Sequence, residues 1–175
     1  MSSSILKKLS LVAGILVILW VAYLYRQVPR FQSPFANADS QAIHIQLTRG
    51  PKIVELLKQG SDWKVSIGTT TAPADESQVI ALLSSLKDVQ VEDEISNRAD
   101  RAADYDVTPE SGTLVCLWGA QPSPFAKGIF GKQAADYAHI YFRYPDKPNV
   151  YLARGLMRGE LGQPDPDSWI KKEKK

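Results

Sequence analysis

The feature that most constrains this chain is an uncharged apolar run near its N terminus. No Asp, Glu, Lys or Arg occurs from Leu9 to Tyr25, and a helix rising about 1.5 Å per residue would span roughly 25 Å over this run. Flanking residues with snorkelling side chains can cover the small deficit against a hydrocarbon core of about 30 Å. We therefore predict a transmembrane anchor over residues 9–25, preceded by a short tail of residues 1–8.

A cleaved signal peptide is the alternative, because Ala36-Asn37-Ala38 has the small-x-small form that a signal peptidase accepts. That motif lies far behind the apolar run, and a segment with two arginines and two prolines separates them. Retention of the anchor is therefore favoured. Two lysines on one flank of the run balance two arginines on the other, so the positive-inside rule does not decide the orientation. We predict that the short N-terminal tail stays inside, as in a signal-anchor, which places the domain outside the cytoplasm.

The rest of the 175-residue chain is long enough for one domain with a hydrophobic core. We predict a linker over residues 26–40, a domain over residues 41–170 and a Lys-rich tail over residues 171–175. The 44% apolar and 23% charged residues are ordinary globular values. A formal net charge of only +2 gives no concentrated basic face, so no nucleic acid partner is expected.

Apolar residues alternate with polar ones in several short segments of this domain, as they do in half-buried strands. Turn residues such as Gly50-Pro51 and the segment Pro145 to Pro148 join consecutive segments. The predicted strands are Ile43 to Thr48, Lys52 to Lys58, Trp63 to Ile67, Thr113 to Trp118, a short strand near Gly128 to Gly131, a strand within Tyr137 to Tyr144, and Val150 to Ala153.

The period changes between Ala74 and Val89, where five apolar residues fall on one side of a helix that opens at Asp75 or Glu76. The charged segment from Glu92 to Glu110 predicts a long surface connection with one helical turn. Strands joined by short turns cannot be parallel neighbours. The fold class is therefore α+β, with antiparallel sheets of short strands and one main amphipathic helix, preceded by the transmembrane helix.

No motif with a defined chemistry was found. The Gly-Lys pair after Phe130 lacks the glycine and the Ser or Thr that a P-loop needs, which leaves a β-turn with exposed lysines. His44 and His139 have no carboxylate or cysteine at ligand spacing, and the single cysteine, Cys116, excludes a disulfide within the chain. We therefore predict no catalytic residues, no metal and no cofactor.

Four segments form a recognisable series: Ile43 to Arg49, Trp63-Lys64-Val65, the helix start at Ala74-Asp75, and a closing run from Phe130-Gly131-Lys132 to Trp169, which is the most specific. Together they resemble the domain-of-unknown-function 4340 family of bacterial envelope proteins, often encoded beside ABC-type transporters, over nearly all of the soluble part. The resemblance implies a membrane-anchored envelope domain and transfers no active site. The positions that match the family, and that we expect to be structural, are Trp63, Asp75, Gly131, Tyr137, Tyr151 and Trp169.

The leading functional hypothesis is a non-enzymatic, single-pass module of the bacterial inner membrane. Its extracytoplasmic domain would bind a protein partner, which the resemblance suggests is an ABC-type transporter complex. The alternative is an envelope domain that binds a small ligand or a glycan, and an uncharacterised enzyme is the third possibility. The candidate interaction surface consists of Trp118, Tyr141 and Arg143 on predicted strands and of Lys132 in the predicted turn, all expected as exposed aromatic or basic side chains.

Overall fold

The computed structural model of the protein describes residues 14, 16–20, 33–162 and 164–172. The chain forms two compact units, Met1–Phe31 and Gln32–Lys175. In the first unit, Gly14 and residues 16–20 are helical, and the side chains of residues 16–20 are 58–68% exposed. Within the described residues, no helix is both long enough and apolar enough to cross a membrane. Most of the predicted anchor, residues 9–25, lies outside the described residues.

The second unit is built around one sheet of nine strands in which every neighbouring pair is antiparallel. The strand order is β4-β3-β2-β1-β6-β7-β8-β9-β5. The strands are β1 (His44–Arg49), β2 (Lys52–Gln59), β3 (Asp62–Ile67), β4 (Thr70–Pro73), β5 (Gln90–Ser96), β6 (Thr113–Trp118), β7 (Ala126–Gln133), β8 (Ile140–Arg143) and β9 (Val150–Arg154).

Two four-stranded meanders, β1–β4 and β6–β9, run in opposite directions from the paired strands β1 and β6. The first ends at the edge strand β4, and the second ends at β9, beside which β5 forms the other edge. Tight turns join the first meander, and Gly50, Gly60 and Gly68 occupy them with φ between 55° and 65°. This backbone region is open to glycine at no steric cost. Short turns therefore fix the antiparallel order within each meander.

Two α-helices are described in this unit, α1 (Ala38–Gln41) and α2 (Glu76–Lys87). Helix α2 begins at Asp75, whose carboxylate accepts hydrogen bonds from the backbone N–H groups of Ser77 (3.1 Å) and Gln78 (3.4 Å). Because α2 connects β4 to β5 at opposite edges of the sheet, it packs over one face, called here the core face. Its buried residues are Val79, Leu82, Leu83 and Leu86.

Alternation along the strands sends one apolar set to the core face and the other to the second face. Ile45 and Leu47 of β1 are buried on the core face beside Leu117 and Val115 of β6. On the second face, a smaller cluster forms where residues 98–112, including a 3-10 helix over Ala99–Tyr105, cover β7–β9. Its buried members are Ala102, Val107, Ile129 and Val150.

The C-terminal segment closes the core face. After β9 it forms 3-10 helices over Arg158–Leu161 and Pro166–Trp169, and the Trp169 side chain is fully buried. Ile170 then forms an antiparallel bridge with Ala74, just after β4. The segment that follows the second meander therefore pairs beside the end of the first. In the same way β5, which follows the first meander in the chain, pairs with β9 at the end of the second.

The predicted antiparallel α+β class is confirmed, with β-structure predominating. The strands that were predicted as antiparallel sheets belong to one nine-stranded sheet, and the helix predicted over residues 74–89 is α2. Three predictions needed correction. Residues 90–96 form a strand inside the predicted surface connection, and β4 was not predicted. The strand predicted near Gly128 to Gly131 is the longer β7, which continues through Lys132, where a turn was predicted.

The sheet unit also starts before the predicted domain boundary. It includes residues 33–40, which the sequence analysis assigned to the linker. Phe35 and Ala38 are both fully buried in the main core, and the Phe35 ring lies 5.7 Å from that of Phe130. The hydrophobic core therefore includes residues on the N-terminal side of β1.

Candidate functional site

The four residues of the candidate interaction surface do not form one surface. Trp118 ends β6, and its ring stacks on the His44 imidazole with centroids 4.5 Å apart and planes 17° apart. Tyr141 and Arg143 lie on β8. Arg143 pairs with Ile129 of β7, which lies beside the start of β6, whereas Trp118 lies at the end of β6. Lys132 is exposed near the end of β7. The structure brings only Tyr141 and Arg143 together.

Tyr141 and Arg143 hold residues 98–112 on the sheet. The Tyr141 ring packs against Tyr105 at a centroid distance of 4.8 Å. The Arg143 guanidinium donates hydrogen bonds to the backbone carbonyls of Val107 (Nε, 2.9 Å) and Lys147 (Nη1, 3.4 Å). Both side chains therefore stabilise the packing of residues 98–112 on the sheet.

The part of the second face over β1, β2 and β6 carries a different surface, which we call the open face. One of its cross-strand rows runs from Trp118 through His44 to Leu57, and another runs from Cys116 through Gln46 to Glu55. Ile53 is 50% exposed, while Trp118, Leu57 and His44 are half-buried. The open face is defined by His44, Gln46, Ile53, Glu55, Leu57, Cys116 and Trp118.

Two titratable groups of the open face are shifted towards their neutral forms. Burial lowers the pKa of His44, although the nearby Glu55 carboxylate opposes this shift. Burial also raises the pKa of the Cys116 thiol, while Lys127 opposes it. A neutral imidazole stacked on Trp118 and a buried thiol make this surface more apolar at neutral pH than its sequence indicates.

A second polar cluster was missed by the sequence analysis. His139 lies between two carboxylates, with Nδ1 2.5 Å from Asp136 Oδ2 and Nε2 3.1 Å from Glu92 Oε2. Glu92 also pairs with Arg154 at 2.7 Å. The hydrogen bond to Asp136 is the largest cause that raises the pKa of His139; burial opposes it, and Glu92 adds to it.

The sequence carried a signal for one half of this cluster. Asp136 precedes His139 by three residues, and its Oδ1 accepts the backbone N–H groups of Ala138 and His139 in a local turn. Glu92 reaches the imidazole only because β5 is the edge strand beside β9, and local patterns do not predict that pairing. The carboxylates occupy opposite nitrogens of the ring, a geometry that holds a charged imidazole.

A shallow groove lies at the end of the sheet beyond Trp118. It has a volume of about 370 Å³, and its apolar walls include Ile43 and Phe125, with Gln41, Gln121 and Ser123 as polar neighbours. Ile43 and Phe125 are 46% and 36% exposed. The size falls at the lower limit of small-molecule sites.

Within the part of the chain that the structure describes, no group of three or more His, Cys, Asp or Glu side chains is arranged to hold a metal ion. The positions expected to be structural have varied settings. Trp63 and Trp169 are buried, Asp75 caps α2, and Gly131 lies against residues 105–107. Tyr151 packs against the Tyr144 ring at 5.9 Å, whereas Tyr137 is 75% exposed with φ of 58°.

Comparisons with known proteins identify the family. Residues 63–173, more than half of the chain, match the family model described as a domain of unknown function, DUF4340. The match extends from the Trp63 strand through the closing segment around Trp169. Searches of the curated proteins and of the solved structures found no significant match. The chain belongs to the DUF4340 family.

Proposed function

We propose that this chain is a non-catalytic, membrane-anchored module whose extracytoplasmic domain binds a protein partner in an envelope complex of transporter type. The open face carries the proposal. One half of the second sheet face is covered by the chain's own residues 98–112, and the other half presents partly exposed apolar side chains to solvent. A protein segment that packs beside residues 98–112 would complete the covering of this face.

The shape and chemistry of the open face favour a protein over a small molecule. Small ligands bind in concave sites that bury most of their surface, whereas the open face follows three strands of a sheet. Its outer rows hold the Trp118 ring with Leu57 and, on the other side, Ile53, and the row between them holds polar Gln46 and Glu55. Aromatic and aliphatic side chains mixed with polar ones are common in protein interfaces.

The N-terminal unit supports the membrane part of the proposal. Five consecutive large apolar residues, 16–20, lie on a helix with more than half of each side chain exposed. Such a helix would leave a large apolar surface in water, and lipid removes that cost. The uncharged run from Leu9 to Tyr25 provides the length for one span.

The partner test places a photoreactive amino acid at Ile53 and, as a matched control, at Ile80. Both are exposed isoleucines, at 50% and 60%, but Ile80 lies on α2, on the core side of the sheet. In native membranes we expect one discrete adduct from position 53 that is absent from position 80 and is reduced by L57D. Equal adducts from both positions, or an adduct with a second copy of the chain, would refute a separate partner at the open face.

The groove favours binding of a small, largely apolar ligand as the second candidate function. Its Ile43 and Phe125 walls and its three polar neighbours could orient a fatty acid or a glycan ring. A screen of lipids, sugars and wall fragments should then raise the melting temperature, and F125A should abolish the shift. No shift with any compound would remove this candidate.

A further inference from the structure

Arg49 occupies an unusual position for a charged side chain. It lies two residues after Leu47 and four after Ile45 along β1, so its side chain points to the same face of the sheet as these two core residues. Its Nε donates a hydrogen bond of 2.7 Å to Oγ1 of Thr113, a side chain that is only 2% exposed. The guanidinium is therefore fixed at the rim of the core, half-buried at the end of the sheet.

Arg49 differs from the other arginines of the sheet unit in what surrounds it. Arg98, Arg101 and Arg154 each contact a carboxylate within 2.7 Å, and Arg143 binds two backbone carbonyls. Among the described residues, no carboxylate lies within ion-pair distance of Arg49. A half-buried cation without a counter-charge carries a desolvation cost that a bound anion would offset.

A second guanidinium lies near the first. Burial and the positive charge of Arg158 together lower the pKa of Arg49, so the field at this place is positive. The Arg158 backbone is tied to the sheet, because its N–H donates to Oε1 of Gln133 at 3.2 Å. Its Nη1 lies 3.5 Å from Oδ2 of Asp106, a long contact for a charge-assisted pair. Asp106 in turn lies against the chain just before Thr113, because its carbonyl oxygen would be 2.8 Å from a Cβ atom on Gly112. The contacts of Arg49 with Thr113 and of Arg158 with Asp106 therefore hold both guanidiniums at the same end of the sheet.

We propose that Arg49 and Arg158 form a binding site for a phosphate group, in which Thr113 holds the Arg49 guanidinium and Asp106 orients Arg158. Arginine presents planar paired donors that match phosphate oxygens. The exposed Lys52, the pairing partner of Arg49, adds a third cation at the rim. The charges of Arg49, Arg158 and Lys52 leave a net +2 once the Asp106 carboxylate is counted, and a phosphate dianion matches that charge.

This site is separate from the proposed partner surface. Arg49 lies on the core-face side of β1, whereas His44 and Gln46 of the open face point to the opposite side. The phosphate group can belong to a free anion or to a lipid headgroup, and the chemistry of the site is the same for both. The inference does not depend on the identity of a protein partner.

The test uses the full-length protein in an uncharged detergent, titrated with inorganic phosphate against sodium chloride of equal ionic strength. We expect a saturable rise in melting temperature with phosphate alone. R49Q and R158Q should each weaken phosphate binding by about tenfold to a hundredfold, because each removes a charge-assisted pair. The matched control R101Q removes an exposed arginine that is paired with Asp104 and should bind phosphate as the wild type does.

A parallel titration with dihexanoyl phosphatidic acid distinguishes the two sources. A response to inorganic phosphate supports a free anion, and a response to the short-chain lipid alone supports a headgroup, provided that R49Q or R158Q weakens it. R158Q serves if R49Q fails to fold, because the Arg158 side chain is 38% exposed and lies outside the strands of the sheet. The proposal is overturned if neither titrant acts beyond salt, or if folded R49Q and R158Q respond like the wild type.

Discussion

Gly131 lies where the sheet and residues 98–112 approach most closely. A Cβ atom at this position would meet the Tyr105 carbonyl oxygen and would lie 2.8 Å from Cγ1 of Val107. Because both neighbours belong to a packed backbone segment, we expect G131A to destabilise the fold by about 1–3 kcal/mol. Urea unfolding of the two proteins measures this difference.

G159A is the matched control, since a Cβ atom at Gly159 meets no atom within 4 Å. Its free energy of unfolding should stay within about 0.5 kcal/mol of the wild type. Equal stabilities of G131A and G159A would show that residues 105–107 yield to the methyl group, and the close contact would then have no structural importance.

His139 should make stability depend on pH in a defined direction. Its pKa in the folded protein is raised above the ordinary 6.5, mainly by the hydrogen bond to Asp136. The stabilisation is therefore fully present below pH 6.5 and is lost as the pH rises through the raised pKa. We expect the stability difference between the wild type and H139Q to shrink as the pH rises above 6.5, as measured by chemical unfolding.

His44 provides the control of opposite sign. Burial lowers its pKa, so its contribution is present above pH 6.5 and is lost as the pH falls through the lowered pKa. The difference between the wild type and H44Q should therefore grow with rising pH. Parallel profiles for H44Q and H139Q would contradict the environments assigned to both side chains.

At the scale of elements, Arg143 is the tie between β8 and residues 98–112. Its hydrogen bond to the Val107 carbonyl is charge-assisted and half-buried, and a bond of this kind contributes about 1.5–3 kcal/mol. R143Q should therefore loosen this segment and increase tryptic cleavage after Arg98 and Arg101, which are exposed within or beside it. Timed proteolysis with mass spectrometry measures the cleavage rate.

K132Q is the control for this experiment, because Lys132 is an exposed basic residue of the neighbouring strand. Its cleavage rate should equal that of the wild type. An unchanged rate in R143Q would instead leave Arg143 available to a partner, as the sequence analysis predicted for the candidate interaction surface.

The elements that could be predicted are those whose patterns are local. Helix α2 shows four buried apolar residues at helical spacing after the capping Asp75, and the turns between β1, β2 and β3 contain glycines. Strand β5 escaped prediction because Glu92, Asp93 and Glu94 interrupt its alternation, and charged residues suit an exposed edge strand. β4 is short, exposed along most of its length and lacks an apolar pattern.

At the scale of the whole molecule, the arrangement of the sheet depends on contacts that local patterns do not show. The central β1–β6 pair joins residues about 70 positions apart, such as His44 and Trp118, and the α2 crossover carries β5 to the far edge. The candidate site was predicted least well for the same reason. The open face, the His139 cluster and the Arg49 site each combine residues from strands that are distant in sequence.

Truncation tests where the folded domain begins. A chain that starts at Gln32 keeps Phe35, whose ring lies 5.7 Å from Phe130 and 6.5 Å from Phe142, whereas a chain that starts at Gln41 loses it. We expect the longer chain to unfold cooperatively, and the shorter one to lose at least the 3–5 kcal/mol typical of deleting a buried phenylalanine. Thermal and urea unfolding measure the melting temperature and the free energy of unfolding of both chains.

The same two chains test the anchor, because both lack the uncharged run from Leu9 to Tyr25. Full-length protein should remain in the membrane fraction after alkaline carbonate extraction, and the chain from Gln32 should appear in the soluble fraction as a folded monomer. F35A in the full-length protein separates the two effects, since it should lose stability and still remain in the membrane. Persistence of the Gln32 chain in washed membranes would assign membrane attachment to the sheet unit instead of the N-terminal run.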